Sequence, residues 1–477
     1  MKALKCLMFA IAAFSFATVM PLVAHEHGQE GGHEGGHEQY THESHQHGDF
    51  SGRGQDRSRY LEELNQRDWD ALRDYLKVKR EEKEDDANGD DDDDCGLTIS
   101  GDVRTEWRHM NEKGIDQDCN YRSLRGDGAI KDDVPVSKND FDIECNIRFD
   151  YICDKTWGVA HIKFDNSAGV NSNGKSCKCD PEGFHGSGGC SSICLMKAYA
   201  GYNVYDCHDA RFDVEIGRRN LYNTFDSRIQ FLSRFDGILF KYSDSIKNVG
   251  DWYWNTAGFL IDERVNHFGW VTEIGILDIC DSGFDLKYSF IDWQKHGENR
   301  CRIRNPRAFD FLVSQWTAAY HIDKKVLGAP AKLYGALMKN HSGVRVYLPY
   351  DECDNCAKEE DKYSVKGNPW GWYVGFIYGE VVDEGDWAFS VQYEWVGVTA
   401  CPDDDASGIG TGNVLNNTIT SNGRGNTNYK GVNIEFLYAF SENLSLNAIL
   451  EWSRQIKKSI GGKHHYSKIE LETIYAF

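Results

Sequence analysis

The sequence predicts an all-β fold, a transmembrane antiparallel β-barrel of about sixteen strands, preceded by a short helix and a disordered His-rich tail. Three features of the chain predict it. Apolar and charged residues alternate with period two over stretches of about 10–14 residues, long enough for a tilted membrane strand. Long and short connections alternate between those stretches. No apolar run of about 18 residues follows residue 24, which excludes helical spans. Composition agrees: of 477 residues 47 are Gly and 8 Pro, and 13% are aromatic, including 13 Trp. With 75 acids against 53 bases the formal charge is −22, which argues against a nucleic-acid partner.

Residues 1–24 read as a secretory signal peptide. Lys2 and Lys5 open it, an apolar segment follows, and Ala24 offers a small residue for cleavage. Its removal leaves a mature chain of about −24 that keeps fourteen of the 15 cysteines, a count suited to an oxidising compartment. Residues 25–57 form a His/Gly/Glu-rich tail that cannot build a core. It holds His25, His27, His33, His37, His42, His45 and His47. Imidazoles bind zinc or nickel, so the tail reads either as a weak metal buffer or as a plain solvated segment. No other cofactor is expected.

Residues 58–95 carry a helix and an acidic linker. Leu61, Leu64, Trp69, Leu72, Tyr75 and Leu76 recur at three- and four-residue spacing, an apolar stripe that packs on the barrel mouth or forms a short coiled coil. The acid run ends in Asp90 to Asp94. Cys95 stands where a calcium hand needs a bidentate Glu, so a solvated linker is the default.

The barrel occupies 96–477. In its first strand Leu97, Ile99, Val103, Thr105 and Trp107 share one face, and Asp102, Arg104, Glu106 and Arg108 share the other. The second alternates Phe141, Ile143, Cys145, Ile147 and Phe149 against Asp142, Glu144, Arg148 and Asp150. Further strands are expected near 156–165, 194–205, 211–219, 236–243, 251–263, 268–279, 283–293, 307–322, 331–341, 370–381, 386–399, 427–440, 442–453 and 465–477. Every long gap follows an odd-numbered strand, the pattern of long outer loops and short turns at the opposite mouth. The gap 264–267 breaks it, being short where a long one is due. Trp107, Trp157, Trp293, Trp316, Trp387, Trp395 and Trp452 fall in strands, as an interfacial girdle requires. The last strand alternates to Phe477, like the terminal strand of bacterial outer-membrane barrels, where a final aromatic is an assembly signal.

The stretches RDWDALRDYLKVKR at 67–80, CGLTISGDVRTEWRHMNE at 95–112 and GRRNLYNTFDSRIQFLSRFDGILFKYS at 217–243 resemble the porin-like major outer membrane proteins of chlamydia-related bacteria. The resemblance spans about 60–477 and implies an outer-membrane diffusion channel for small hydrophilic solutes and ions. It also implies a periplasmic helix, a possible homotrimer, and cysteines that cross-link the envelope. The His-rich tail and the Asp run depart from the family.

On that reading Asp102, Arg104, Glu106, Arg108, Asp142, Glu144 and Arg148 line the lumen. The third outer loop, 220–235, is the candidate constriction, with Asp226, Arg228 and Arg234, and Asp236 just after. Rings of charge set ion preference, and inward acids outnumber inward bases slightly, so weak cation preference is expected. Cys119, Cys177, Cys179, Cys190, Cys194, Cys301, Cys353, Cys356 and Cys401 lie in or beside outer loops. They are disulfide candidates within the chain or to other envelope proteins. Cys353 and Cys356, and the 177–194 group, also have zinc-site spacing. GxSxG, HExxH and P-loop patterns are absent, so no enzyme is expected. A non-conducting adhesin or structural envelope protein is the alternative.

Overall fold

The computed structural model describes residues 95–477 apart from 116–119, 123–128, 132–135, 168–190, 208–209, 248, 263–266, 294–310, 343–344, 348–363, 403–404, 408, 410–426 and 458–462. The signal segment, the His-rich tail, and the expected helix and acidic linker up to residue 94 lie outside the described residues.

The strands are β1 Cys95–Ile115, β2 Val136–Cys153, β3 Thr156–Ser167, β4 Ser191–Cys207, β5 Ala210–Asn220, β6 Arg234–Ile246, β7 Gly250–Asp262 and β8 His267–Leu277. They continue as β9 Phe284–Asp292, β10 Leu312–Ile322, β11 Ala331–Asn340, β12 Trp370–Glu380, β13 Trp387–Val396, β14 Tyr429–Ala439, β15 Leu444–Gln455 and β16 Lys463–Ala476. Each pairs antiparallel with its sequence neighbours, and β16 pairs with β1 to close a sixteen-stranded barrel. The short 264–267 gap is a real short connection between β7 and β8, so the count and the parity of the strands hold through it. Two small hairpins occur in the long connections, Asn120–Arg122 with Ala129–Lys131 and Arg345–Tyr347 with Ser364–Lys366.

Closure follows from what lies outside. The outward positions carry Leu97, Ile99, Val103, Ile143, Ile216, Ile238, Leu333, Val374, Ile469 and Leu471, all exposed. Such a belt belongs in hydrocarbon, where unpaired backbone groups find no partner and a sheet edge is excluded. Aromatic pairs fringe the belt. Near the short-turn end Trp387 packs between Tyr378 and Phe436 at 5.6 and 6.1 Å, and Tyr242 lies 5.1 Å from Trp252. Near the long-loop end Trp270 lies 6.0 Å from Phe290, and Trp372 lies 5.3 Å from Tyr393. Trp157 and Trp293 correct the girdle expectation. Trp157 faces inward, with the Arg211 guanidinium 6.0 Å from its ring, and Trp293 is buried inside against Phe259.

The disulfide among the described residues joins Cys95 and Cys153, opposite each other at the short-turn end of β1 and β2. That differs from the outer-loop expectation. Of the nine outer-loop candidates, Cys194 sits in β4 as a free thiol and Cys401 is buried after β13; the other seven lie outside the described residues.

Val391 faces outward on β13 midway between Trp387 and Trp395. Replacing it with Arg should cost about 2–4 kcal/mol of unfolding free energy measured in lipid vesicles, because the charge meets the middle of the bilayer. A change below about 0.5 kcal/mol would contradict a lipid-facing Val391.

Candidate functional site

The chain between β5 and β6 turns into the barrel instead of away from it. Leu221–Asn223 forms one 3-10 turn, and the Leu221 N–H donates to Ser233 O at 3.0 Å, which pins the two ends of the segment together. Leu221, Phe225, Ile229 and Phe231 are fully or almost fully buried, within a cluster that includes inward Leu239, Phe259, Val271, Ile291, Val313 and Tyr334. Burying each such side chain stabilises by roughly 1.5–3 kcal/mol. A buried segment must also satisfy its backbone. The Asp226 N–H donates to Glu273 Oε2 on β8 at 2.9 Å, Gln315 Nε2 on β10 donates to Asp226 O at 2.6 Å, and Asn255 Nδ2 on β7 donates to Thr224 O at 3.2 Å. From the other side comes the segment after β13. Asp405 accepts from the Phe231 and Ser233 N–H groups at 3.0 Å each, and the Ser407 N–H donates to Ile229 O at 2.6 Å. These bonds hold Phe231 at φ +76°, a left-handed conformation costly for an aromatic residue.

Charge meets charge at the centre of this segment. Lys287 Nζ on β9 donates to Asp226 Oδ2 at 2.9 Å, Tyr253 OH donates to Glu273 Oε1 at 2.8 Å, and the Arg228 guanidinium lies 5.2 Å from the Tyr334 ring centre. Burial pushes the Asp226 carboxyl up, but Lys287, Lys332 and Arg228 outweigh it and hold the carboxyl well below the ordinary range. Two glycines make room. A Cβ on Gly275 would fall 2.4 Å from the Tyr253 ring, and one on Gly375 would fall 2.3 Å from the Tyr334 ring, so both tyrosines lie flat on the wall. A cavity of about 420 Å³ opens beneath the segment, lined by Arg211, Asp213, Lys241, Tyr253, Glu273 and Lys287.

Elsewhere the inward charges stand in pairs. Arg104 meets Asp102 at 2.5 Å, Arg108 meets Glu106 at 3.0 Å, Arg148 meets Asp150 at 2.7 Å and Lys163 meets Glu144 at 2.6 Å. Lys241 meets Glu215 at 2.8 Å, and Lys468 meets Glu451 and Glu470 at 3.0 and 3.2 Å. The balance is uneven around the wall. On β13–β16 the described inward charges are Glu394, Glu435, Glu451, Glu470 and Glu472 against Lys468 alone. Tyr429 donates to Glu394, and Asn447 Nδ2 donates to Glu435 Oε1 at 2.9 Å.

The lumen residues expected from the sequence, Asp102, Arg104, Glu106, Arg108, Glu144 and Arg148, face inward, and Asp142 holds an inward register position opposite Glu106. Asp226 and Arg228 lie in the in-turned segment. Arg234 and Asp236 do not belong with them. β6 starts at Arg234, whose guanidinium contacts Met196 Sδ at 3.2 Å. Asp236 faces outward and pairs with Arg218 of β5 at 2.6 Å, so it does not border the lumen. Glu273, Gln315, Arg211 and Asp405 were not singled out in the sequence. Glu273 and Arg211 follow from strand parity; nothing local marks Asp405.

No family model and no curated protein matches the sequence. Among solved structures, Pseudomonas putida OprB is similar at 11% identity over 80% of this chain and 94% of that one, with a TM-score of 0.43. Salmonella typhi OmpF, in a complex with daunomycin, gives 13% identity over 80% and 97%, with a TM-score of 0.44. A Rhodopseudomonas blastica porin mutant gives 9% over 80% and 100%, with a TM-score of 0.35.

Because the Asp226 carboxyl is depressed in the folded state, its stabilisation is fully present above the unfolded value near 3.8 and is lost as pH falls through the lower folded value. Asp226→Asn should therefore flatten the acid limb of stability below about pH 4 and cost roughly 1.5–3 kcal/mol at neutral pH. Urea unfolding followed across pH checks it. An acid limb identical to that of the parent would remove Asp226 from the account.

Proposed function

We propose that this chain is an outer-membrane channel for passive diffusion of small hydrophilic solutes and ions, with 221–233 as its constriction. The observation that carries the reading is one combination. A closed barrel is apolar outside and charged inside, and a connecting segment is bonded across its interior. The outer membrane of a Gram-negative cell is where such barrels reside, and the signal-peptide reading of 1–24 supplies the export route. The resemblance to the chlamydia-related porin-like family points the same way. No enzymatic role is proposed, since the sequence carries no GxSxG, HExxH or P-loop pattern. Weak cation preference follows from the carboxylate excess on β13–β16. A homotrimer is the assembly the reading favours.

A second reading keeps a specific observation in its favour. The apolar packing of 221–233 against β6–β11 fills part of the interior, as a non-conducting envelope scaffold would. Planar-bilayer recording separates the two. The channel reading expects discrete conductance steps with a near-linear current–voltage relation, and a refolded barrel that never conducts overturns it. Glu435→Gln with Glu470→Gln should move the reversal potential toward anions, whereas Asp236→Asn should leave it unchanged. A shift caused by Asp236→Asn would place that carboxylate in the ion path.

A further inference from the structure

Among the described residues, two outward cations have close neighbours. Arg218 is bonded to Asp236 at 2.6 Å, and Lys339 lies 5.1 Å from the Trp370 ring. One group differs. Trp395, Lys430, Arg454 and His465 are successive cross-strand neighbours on β13, β14, β15 and β16, all at outward positions near the long-loop end. No carboxylate interrupts this row. Neither Lys430 nor Arg454 has an ion pair or side-chain hydrogen bond among the described residues. Arg454 and His465 are exposed, and so is Trp452, two residues before Arg454 on the same face. Lys430, Trp452, Arg454 and His465, with Tyr393 and Asn111, border an outward groove of about 500 Å³.

A cation row on the lipid-facing side is costly within hydrocarbon but not at the headgroup level, where an anion neutralises it. The aromatic foot of the groove, Trp452 and Tyr393, suits the sugar and upper acyl region of a lipid. Its basic upper edge suits phosphate. We propose that Lys430 and Arg454, with His465 beside them, hold the phosphate of a phosphorylated glycolipid of the outer leaflet. The site seats one lipid on the β13–β16 wall. The leaflet assignment rests on the proposed function together with the sequence expectation that the long loops lie outside.

The test uses the full-length protein in detergent, with bound lipid counted by native mass spectrometry. Three probes are diphosphoryl lipid A, the same lipid with both phosphates removed, and inorganic phosphate. One diphosphoryl lipid should be retained per barrel. Lys430→Gln with Arg454→Gln should weaken it about twentyfold, as expected for two cations at an anionic surface. The dephosphorylated lipid should bind the parent weakly and be indifferent to the substitutions, and millimolar inorganic phosphate should not displace the lipid. Lys339→Gln should change nothing. The heat-dependent gel mobility of the barrel, the same for every variant, shows that each is folded. Equal retention of the two lipids, an unchanged affinity in the double variant, or displacement by inorganic phosphate overturns the proposal. Binding is read in detergent, so a barrel that fails to conduct counts against the channel and leaves this result standing.

Discussion

Everything in this structure depends on the seam between β1 and β16. Hydrocarbon offers no partner to a backbone N–H or C=O, so a sheet there must meet itself. The seam runs from Asp102 opposite Ala476 to Ile115 opposite Lys463. Below it, reciprocal backbone bonds between Gly101 and Phe477 at 2.9 Å complete the pairing. Gly101 is required there. A Cβ would fall 2.3 Å from Asn146 O and 2.8 Å from the Phe477 ring. Once the seam is closed, each strand residue has one remaining property, whether it points in or out, and the chemistry of the protein follows from that parity.

Closure also creates an interior that a loop can enter only under conditions. Its backbone groups must find partners and its apolar side chains must find a surface. The inward faces of β6–β11 meet both. Leu239, Phe259, Val271, Ile291 and Val313 supply the surface, while Glu273, Gln315 and Asn255 supply the bonds. Asp405 closes the arrangement from the segment after β13. The in-turned segment and the wall that receives it are one packing unit, and neither makes sense alone.

That unit explains where the sequence was legible and where it was not. Strands β1 and β2 read cleanly, because charges fill one face and apolar residues the other. Over 220–280 the alternation is weak, and the structure supplies the cause. In β8, Phe268, Trp270 and Ile274 face lipid while the inward face carries Gly269, Val271 and Gly275 with Glu273 as its one charge, so the period-two signal fades. Asp236 shows the same difficulty on a smaller scale. Its place just after the loop suggests the lumen, whereas parity counted from buried Phe235 sends it outward to Arg218. Trp157 and Trp293 were assigned to the girdle by type, though parity sends both inside. Residue kind is a weaker guide than position in the pleat. The bond from Asp405 to residues more than 170 positions earlier has no local signature at all.

The pairing of the wall charges decides what kind of filter such an interior makes. An ion close to an Arg104–Asp102 or Lys163–Glu144 pair meets a dipole, whose field falls off faster than that of a bare charge. Screening over roughly 8 Å at physiological salt weakens what remains. Paired walls therefore hydrate the path without choosing strongly between ions. Choice is left to the carboxylates that exceed their bases, and those lie together on β13–β16. The in-turned segment rests on β6–β11, with Asp226 bonded to Lys287, so the segment is itself nearly neutral while the net negative charge lies on the wall beside it. On the channel reading, packing and backbone bonds of the segment set the width and the carboxylates of β13–β16 set the charge, and the two are joined, since Val396, Tyr429 and Tyr466 of that strip belong to the same buried cluster as the segment.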